Sequence, residues 1–339
     1  MRIPDYVNPL RDFEHSYGKS ALDTEDKTPV DFSISSSSIS HLKAALGSLV
    51  YPFKNIIQRP WLIRRLHSLD SEHFDLPDVL CWGQRGFGNR ALLKALRRKI
   101  GRPDTVGCFG CGSGTELILV ARYLRPKCII GYEYFNYERA WKSVSDAVRP
   151  YGIEVHTHQV DLRMPLRLNH RCDALVSFAV LEHLSEMNQV LGHLRPLLRP
   201  GGAFAACWGP MWYSYSGDHI AAELGMKFGF EHVRLSANDY FEWYRKHPRN
   251  REAVLRGQAT WLELGLHNYW RYRDYLSAIT QLFGPPAWVQ WQISSEAFEY
   301  QRRFGETWRK MLAMNPNLRP LDLVLGGAAV ICGPDTREQ

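Results

Sequence analysis

No run of about 18 consecutive apolar residues occurs in this 339-residue sequence, which leaves no candidate for a transmembrane helix. The first residues, Met1-Arg2-Ile3-Pro4-Asp5-Tyr6, lack the apolar core of a signal peptide. Cysteine is sparse. The seven thiols, Cys81, Cys108, Cys111, Cys128, Cys172, Cys207 and Cys332, are scattered and odd in number, which argues against a disulfide framework. They are expected to be reduced, in a cytoplasmic protein. A strong excess of one charge is missing too: 42 basic residues stand against 35 acidic ones, a net charge of +7. That permits contact with nucleic acid, acidic lipid or a phosphorylated substrate and requires none of them. Internal repeats are absent. With 45% hydrophobic and 23% charged residues, the chain reads as an ordinary globular protein able to bury a full core.

What is present begins with Thr105-Val106-Gly107-Cys108-Phe109-Gly110-Cys111-Gly112-Ser113-Gly114-Thr115-Glu116. An apolar strand enters three alternate glycines, and a helix over Glu116–Leu124 leaves them. Backbone without Cβ atoms turns tightly and lets a ligand approach closely. The N-terminus of the following helix offers free N–H groups to polar or anionic groups. About 20 residues further on, Glu133 ends a second apolar run, where a carboxylate can accept both hydroxyls of a ribose. Strand, glycine loop, helix, strand and acid together describe a nucleoside-cofactor site. Cys108 and Cys111 form a Cys-x-x-Cys, but Cys111 lies inside the loop and no second Cys or His pair stands at zinc-finger spacing.

Further strands are expected at Glu154–Val160, Ala174–Phe178, Ala203–Trp208, Trp288–Ile293 and Leu323–Cys332. Helices are expected at Ala91–Ile100, Tyr137–Val148, Glu186–Leu198 and Ser295–Met314. This alternation predicts an α/β fold, a doubly wound, mostly parallel seven-stranded sheet with helices on both faces. Residues 1–75 show no such alternation and read as a partly helical N-terminal extension. Residues 49–66 are basic and partly apolar, fit either for contact with a membrane surface or for packing as a helix on their own domain. Residues 76–210 read as the cofactor-binding core, 211–285 as a helical, aromatic-rich insert and 286–335 as the last two strands with a helical insert between them.

The ordered landmarks resemble those of the class I S-adenosylmethionine-dependent methyltransferases. They are Gly110-Cys111-Gly112-Ser113-Gly114, Glu133, Asp161-Leu162, and Asp173-Ala174-Leu175-Val176-Ser177-Phe178-Ala179-Val180-Leu181-Glu182-His183 followed by Leu198-Arg199-Pro200-Gly201-Gly202. The last is close to a signature of the family's small-molecule branch. The resemblance spans residues 90–210 and, less closely, the last two strands. It implies a Rossmann-like fold and S-adenosylmethionine as cofactor. It places Gly110, Cys111, Gly112 and Gly114 against the methionine part, Glu133 on the ribose, Asp161 on the adenine amino group with Leu162 beside the ring, and Ser177 and Phe178 beneath the cofactor. Where this family usually has an acid that helps hold the cofactor's ammonium group, this chain has Cys108. Nicotinamide and flavin sites share the glycine loop and the strand-end acid, but Asp161 and Leu181-Glu182-His183 are not expected there.

Methyl transfer to oxygen needs a positioned acceptor and removal of its proton. His183, after the fourth strand, and His219, in the Gly209–His219 stretch after the fifth, are the base candidates. Alternatively His183 caps a turn and His219 is a partly buried lid residue. Some relatives bind a divalent cation through Glu-x-x-Glu-His at this place. Ala179 replaces the first carboxylate, so no required metal is expected. The Asn- or Asp-Pro-Pro-Tyr run of amino-methylating nucleic-acid enzymes is missing, as is the Pro-Cys of cytosine C5 enzymes. The expected acceptor is therefore a small molecule, sugar or lipid precursor. An RNA acceptor, or a cofactor-binding protein without catalysis, remains as the alternative. All but three of the 11 tryptophans (Trp61, Trp82 and Trp141) lie from Trp208 onward. Most of these rings are expected to pack the chain's own core, and a few to line a substrate cap over 211–285. The oligomeric state is not encoded in any of these motifs.

Overall fold

The computed structural model describes residues 57–70, 77–84, 86–166 and 170–333. The chain divides into two compact units. One contains the residues up to Glu72 together with Asn238–Gly265, and the other His73–Ala237 and Leu266–Gln339. The stretch 211–285 is therefore shared between them. Residues 49–56 of the basic apolar segment lie outside the described residues.

The larger unit is built on one eight-stranded sheet in the order β1-β7-β8-β6-β5-β2-β3-β4. The strands are β1 (Val79–Trp82), β2 (Thr105–Phe109), β3 (Cys128–Glu133), β4 (Glu154–Gln159), β5 (Cys172–Phe178), β6 (Leu198–Trp208), β7 (Pro286–Ile293) and β8 (Leu325–Cys332). Only β8 runs antiparallel, between β6 and β7. Seven strands were expected. The eighth, β1, is a four-residue run on the edge beside β7, too short to show a period. The chain winds β2-β3-β4 to one side and returns to β5 on the other. The carboxyl ends of β2 and β5 therefore meet at the switch point, where open α/β sheets bind ligands.

The central strands are apolar on both faces because helices cover both. The helix Asn89–Ile100 buries Leu92, Leu93 and Leu96 and ends on Arg97, Arg98 and Lys99, which suit the negative end of its dipole. Each buried leucine contributes about 1.5–3 kcal/mol relative to exposure. Thr115–Leu124 buries Leu117, Val120 and Leu124 against the same core as Val106, Ile129 and Val176.

Two boundaries differ from expectation because of proline. The helix expected over Glu186–Leu198 runs only Met187–Leu194, followed by the tighter turn Arg195–Leu197. Pro196 lacks the amide a helix interior needs and clashes with the preceding turn. Strand β6 then starts at Leu198 and takes in Arg199-Pro200-Gly201-Gly202. Likewise Pro320 opens a helical turn, Pro320–Val324, so β8 begins at Leu325 and not at Leu323. The insert after β7 is two helices, Ser295–Arg303 and Gly305–Met314, the first capped by the Ser294 hydroxyl accepting from the Ala297 amide at 3.1 Å.

In the smaller unit, residues 57–69 are helical and bury Leu62 and Leu66. The helix Ala237–Lys246 buries Tyr240 and Tyr244, and Pro248–Leu255 follows it. Among the described residues no helix is long and apolar enough to cross a membrane.

Candidate active site

The glycine loop starts where β2 ends, and its glycines answer different needs. Gly110 has φ +64°, and a Cβ there would lie 2.2 Å from a Val180 methyl. Only glycine lets the β2 end pass under the turn after β5. Gly112, with φ +51°, is different: a Cβ there would meet nothing within 4 Å. The space over Gly112 is open. Its carbonyl accepts from the Trp141 indole N–H at 2.8 Å, which fixes the loop from outside. Gly114 ends the loop in the left-handed region, and Thr115–Leu124 begins beside it.

Glu133 is the last residue of β3 and is buried. One carboxylate oxygen accepts from the Gly112 amide at 2.7 Å, and the other from the amides of Tyr134 at 2.9 Å and Phe135 at 3.2 Å. Burial pushes its pKa up and these three amides pull it back, with a net rise. Two motifs found separately in the sequence are thus joined by one hydrogen bond. The Cys108 thiol is buried in the core and pushed up by desolvation, and Cys111 is pushed up to about 12 for the same reason. Both are neutral thiols at neutral pH, so neither replaces the missing acid.

Asp161 follows β4. Both its oxygens are held by the Arg163 guanidinium, at 2.8 and 2.6 Å, and one also accepts the Arg163 amide at 3.0 Å. Partial burial raises its pKa, but the Arg163 bonds outweigh that and hold it below the usual carboxylate range. The guanidinium also lies over the Tyr134 ring, 5.6 Å from its centroid, beside Glu133. Leu162 is buried, and its carbonyl faces His193 Nδ1 at 3.1 Å. Ser177 is fully buried and donates its hydroxyl proton to the Phe109 carbonyl at 3.1 Å. Phe178 belongs to the core cluster. Ser177 and Phe178 are thus buried at the end of β5, with the Ser177 hydroxyl already used.

His183 ends the turn Leu181–His183 after β5, and His219 lies in the loop after β6. The sequence left them as separate candidates; the fold stacks their rings 5.1 Å apart. A third imidazole, His267, joins them, 6.3 Å from His183 and 6.1 Å from His219. One ligand atom from each of the three lies within 4.8 Å of those of the other two. Burial lowers the pKa of His183, and that of His267 much further, so both are neutral at neutral pH. Sequence reasoning missed His267, which sits in an aromatic stretch with no spacing relation to the others.

The turn that carries His183 is strongly held. His183 Nδ1 faces the Leu266 carbonyl at 2.8 Å. The Asn268 amide donates to the Glu182 carbonyl at 2.7 Å, and its side chain donates to the Leu181 carbonyl at 3.2 Å. Glu182 itself is buried, accepts the Gly209 amide at 3.0 Å and is pushed up to about 8 by desolvation. It is a protonated structural acid at neutral pH, and Ala179 before it has φ +54°. On the other side, Asp218 is fully buried and accepts the amides of Ile220 at 3.2 Å and Ala221 at 2.9 Å. This holds His219 at φ +68°, a region sparsely used by non-glycine residues.

Of the tryptophans from Trp208 onward, Trp208, Trp212, Trp291 and Trp308 are buried, as core packing requires, while Trp261 is exposed. Trp212 packs against His267, with 4.9 Å between ring centroids.

Residues 87–234 match the family model described as a methyltransferase domain, the family that the sequence landmarks resemble. No curated protein matches the sequence. Among solved structures, DesVI from Streptomyces venezuelae is similar at 20% identity, over 34% of this chain and 49% of that one, with a TM-score of 0.28. The 1,6-didemethyltoxoflavin-N1-methyltransferase from Burkholderia thailandensis is similar at 20% identity, over 35% and 50%, with a TM-score of 0.30. The chain thus spans about half the length of these two. The geranyl diphosphate C-methyltransferase from Streptomyces coelicolor A3(2) is similar at 11% identity over 72% of this chain and 78% of that one, with a TM-score of 0.41.

Proposed function

We infer, from a chain whose residues 87–234 are a methyltransferase domain of the class I S-adenosylmethionine-dependent kind, that it methylates an oxygen of a small-molecule acceptor. The observation that carries the cofactor half is the 2.7 Å bond from the Gly112 amide to buried Glu133, with open space over Gly112. The donor set fits the group. Glu133 is the acceptor for ribose hydroxyls, and the Gly110–Gly114 loop with Cys111 offers backbone to the methionine part. Asp161 is the acceptor for the adenine amino group beside Leu162, over a floor made by Ser177 and Phe178.

S-adenosylmethionine supplies a methyl group on a positively charged sulfur when bound. The protein's own residues must orient the acceptor in line with that methyl and handle the acceptor's proton. His183 and His219 stand at the carboxyl edge, where β5 and β6 end, and are the residues proposed to activate the acceptor. The acceptor's O–H proton would pass to a ring nitrogen of His183 or His219, and bound S-adenosylmethionine would supply the methyl group for the new O–CH3 bond, its sulfur keeping the electron pair of the S–CH3 bond lost.

Calorimetry with S-adenosylmethionine tests this. Saturable binding is expected, weakened at least tenfold in Glu133→Ala, since a hydrogen bond to a charged group is worth about 1.5–3 kcal/mol. Absence of binding at millimolar cofactor would overturn the proposal. Unchanged affinity in the variant would remove the ribose assignment.

A further inference from the structure

We propose that His183, His219 and His267 form a site for one first-row transition-metal dication, with a coordination position left for an acceptor oxygen. Three observations lead there. The first is convergence: ligand atoms from three imidazoles lie within 4.8 Å of one another. Nitrogen ligands on zinc at about 2.0–2.1 Å stand about 3.3 Å apart, so side-chain rotation closes the difference.

The second is orientation. A carbonyl only accepts, so the 2.8 Å contact to the Leu266 oxygen makes His183 Nδ1 the protonated nitrogen. Its Nε2 then carries the lone pair that a metal takes. A backbone carbonyl on the remote ring nitrogen is how metal-binding histidines are commonly fixed.

The third is preorganisation. Leu266 and Asn268 flank His267, and both are bonded to the turn carrying His183, by the three contacts to Leu181, Glu182 and His183. The segments meet across 83 residues of sequence between His183 and Leu266. His219 is held in a strained backbone conformation by the buried Asp218 loop. Trp212 packs on His267, and Tyr269 packs edge-on against Trp212 with 4.6 Å between centroids.

The donor set selects the ion. Imidazole nitrogen suits zinc and its neighbours, whereas magnesium demands oxygen ligands. Three neutral ligands leave the full dipositive charge, so the fourth partner is an oxygen that ionises readily: a phenol, an enol or a 2-hydroxy acid. A metal of this kind lowers the pKa of an oxygen it binds. His183 and His219 would then act on the acceptor's proton through the ion and not as free bases. Metal binding stands on the three side chains alone, and its catalytic use rests on the proposed methyl transfer.

The test uses the full chain stripped with chelator, titrated with zinc and, separately, with cobalt. One equivalent per chain is expected, with cobalt giving a visible absorption band of low-coordinate type. His267→Ala and His219→Ala should each weaken zinc binding about 100-fold while still binding S-adenosylmethionine, which reports an intact fold. His158→Ala, which removes a ring of the separate His158–His170 stack, should change nothing. Substoichiometric zinc, displacement by millimolar magnesium, or unchanged affinity in both cluster variants would overturn the site. Zinc binding without cofactor binding would sink the methyltransferase proposal and leave the metal site standing. Cofactor-dependent turnover that persists in chelator would leave the metal site without its catalytic use.

Discussion

Gly112 donates its amide to Glu133 at 2.7 Å across 21 residues of sequence, so the glycine loop and the strand-end acid are one unit before any ligand arrives. The same carboxylate serves Tyr134 and Phe135. Glu133→Ala should therefore have two separable effects. Besides weakening the cofactor, it leaves three amides without their acceptor and should lower stability by about 1–3 kcal/mol in its absence. Denaturant unfolding of the cofactor-free variant checks this. Wild-type stability there would mean that water replaces the carboxylate at no cost.

Gly110 and Gly112 make a matched pair of opposite predictions. Gly110→Ala puts a methyl 2.2 Å from Val180, with φ +64° disfavouring any side chain. It should destabilise by roughly 2–4 kcal/mol from overpacking and backbone strain together. Gly112→Ala meets no atom within 4 Å and should cost only about 1–2 kcal/mol, from the left-handed backbone alone. Yet its methyl projects into the proposed cofactor space, so affinity for S-adenosylmethionine should fall more than tenfold. The ratio of cofactor loss to stability loss separates the two glycines. Equal ratios would mean that Gly112 does not face the ligand.

Local chemistry explains what could be read from the sequence. The loop glycines, Glu133 and the alternation through Trp208 announce themselves because each belongs to a short motif or a regular period along the chain. Pro196 and Pro320 carried the signal for the two shifted boundaries, and the apolar stripe through Leu198 concealed the first. His267 had no local signal. It is brought to His183 by its neighbours Leu266, whose carbonyl accepts from His183 Nδ1, and Asn268, whose side chain donates to the Leu181 carbonyl, contacts that depend on a tertiary approach that no period encodes. The Arg163 clamp on Asp161 is local, but an Asp-x-Arg spacing alone does not tell a clamp from two solvated charges.

That clamp makes a prediction of its own. Arg163 occupies both Asp161 oxygens, one of them twice, and the other retains a lone pair for an adenine amino group. Asp161→Ala should weaken S-adenosylmethionine binding about tenfold with little change in stability, because the pair is partly exposed. Arg163→Ala should leave the adenine acceptor in place but return the carboxyl toward its ordinary range. Cofactor affinity in that variant should then decline on acidification at a higher pH than in the wild type. Coincident pH profiles for the two proteins would show that Asp161 does not touch the cofactor.

Asp322 offers a test of pH-dependent stability away from the site. It is buried in the turn Pro320–Val324, and one oxygen accepts the Arg319 amide at 2.9 Å. Its other oxygen has no hydrogen-bond partner among the described residues. Desolvation pushes its pKa up from 3.8 to about 6. The folded state therefore binds more protons than the unfolded state between these values, and stability falls as pH rises through that window. Below the lower value the group costs nothing, and above the upper one the loss is complete, at most about 3 kcal/mol for a shift of about two pK units. A carboxamide at this position keeps an acceptor for the Arg319 amide without the charge. Asp322→Asn should match the wild type near pH 4 and exceed it by about 1–3 kcal/mol near pH 7.5, measured by chemical denaturation at the two pH values. A gain that is the same at both would assign the effect to packing and not to the buried charge.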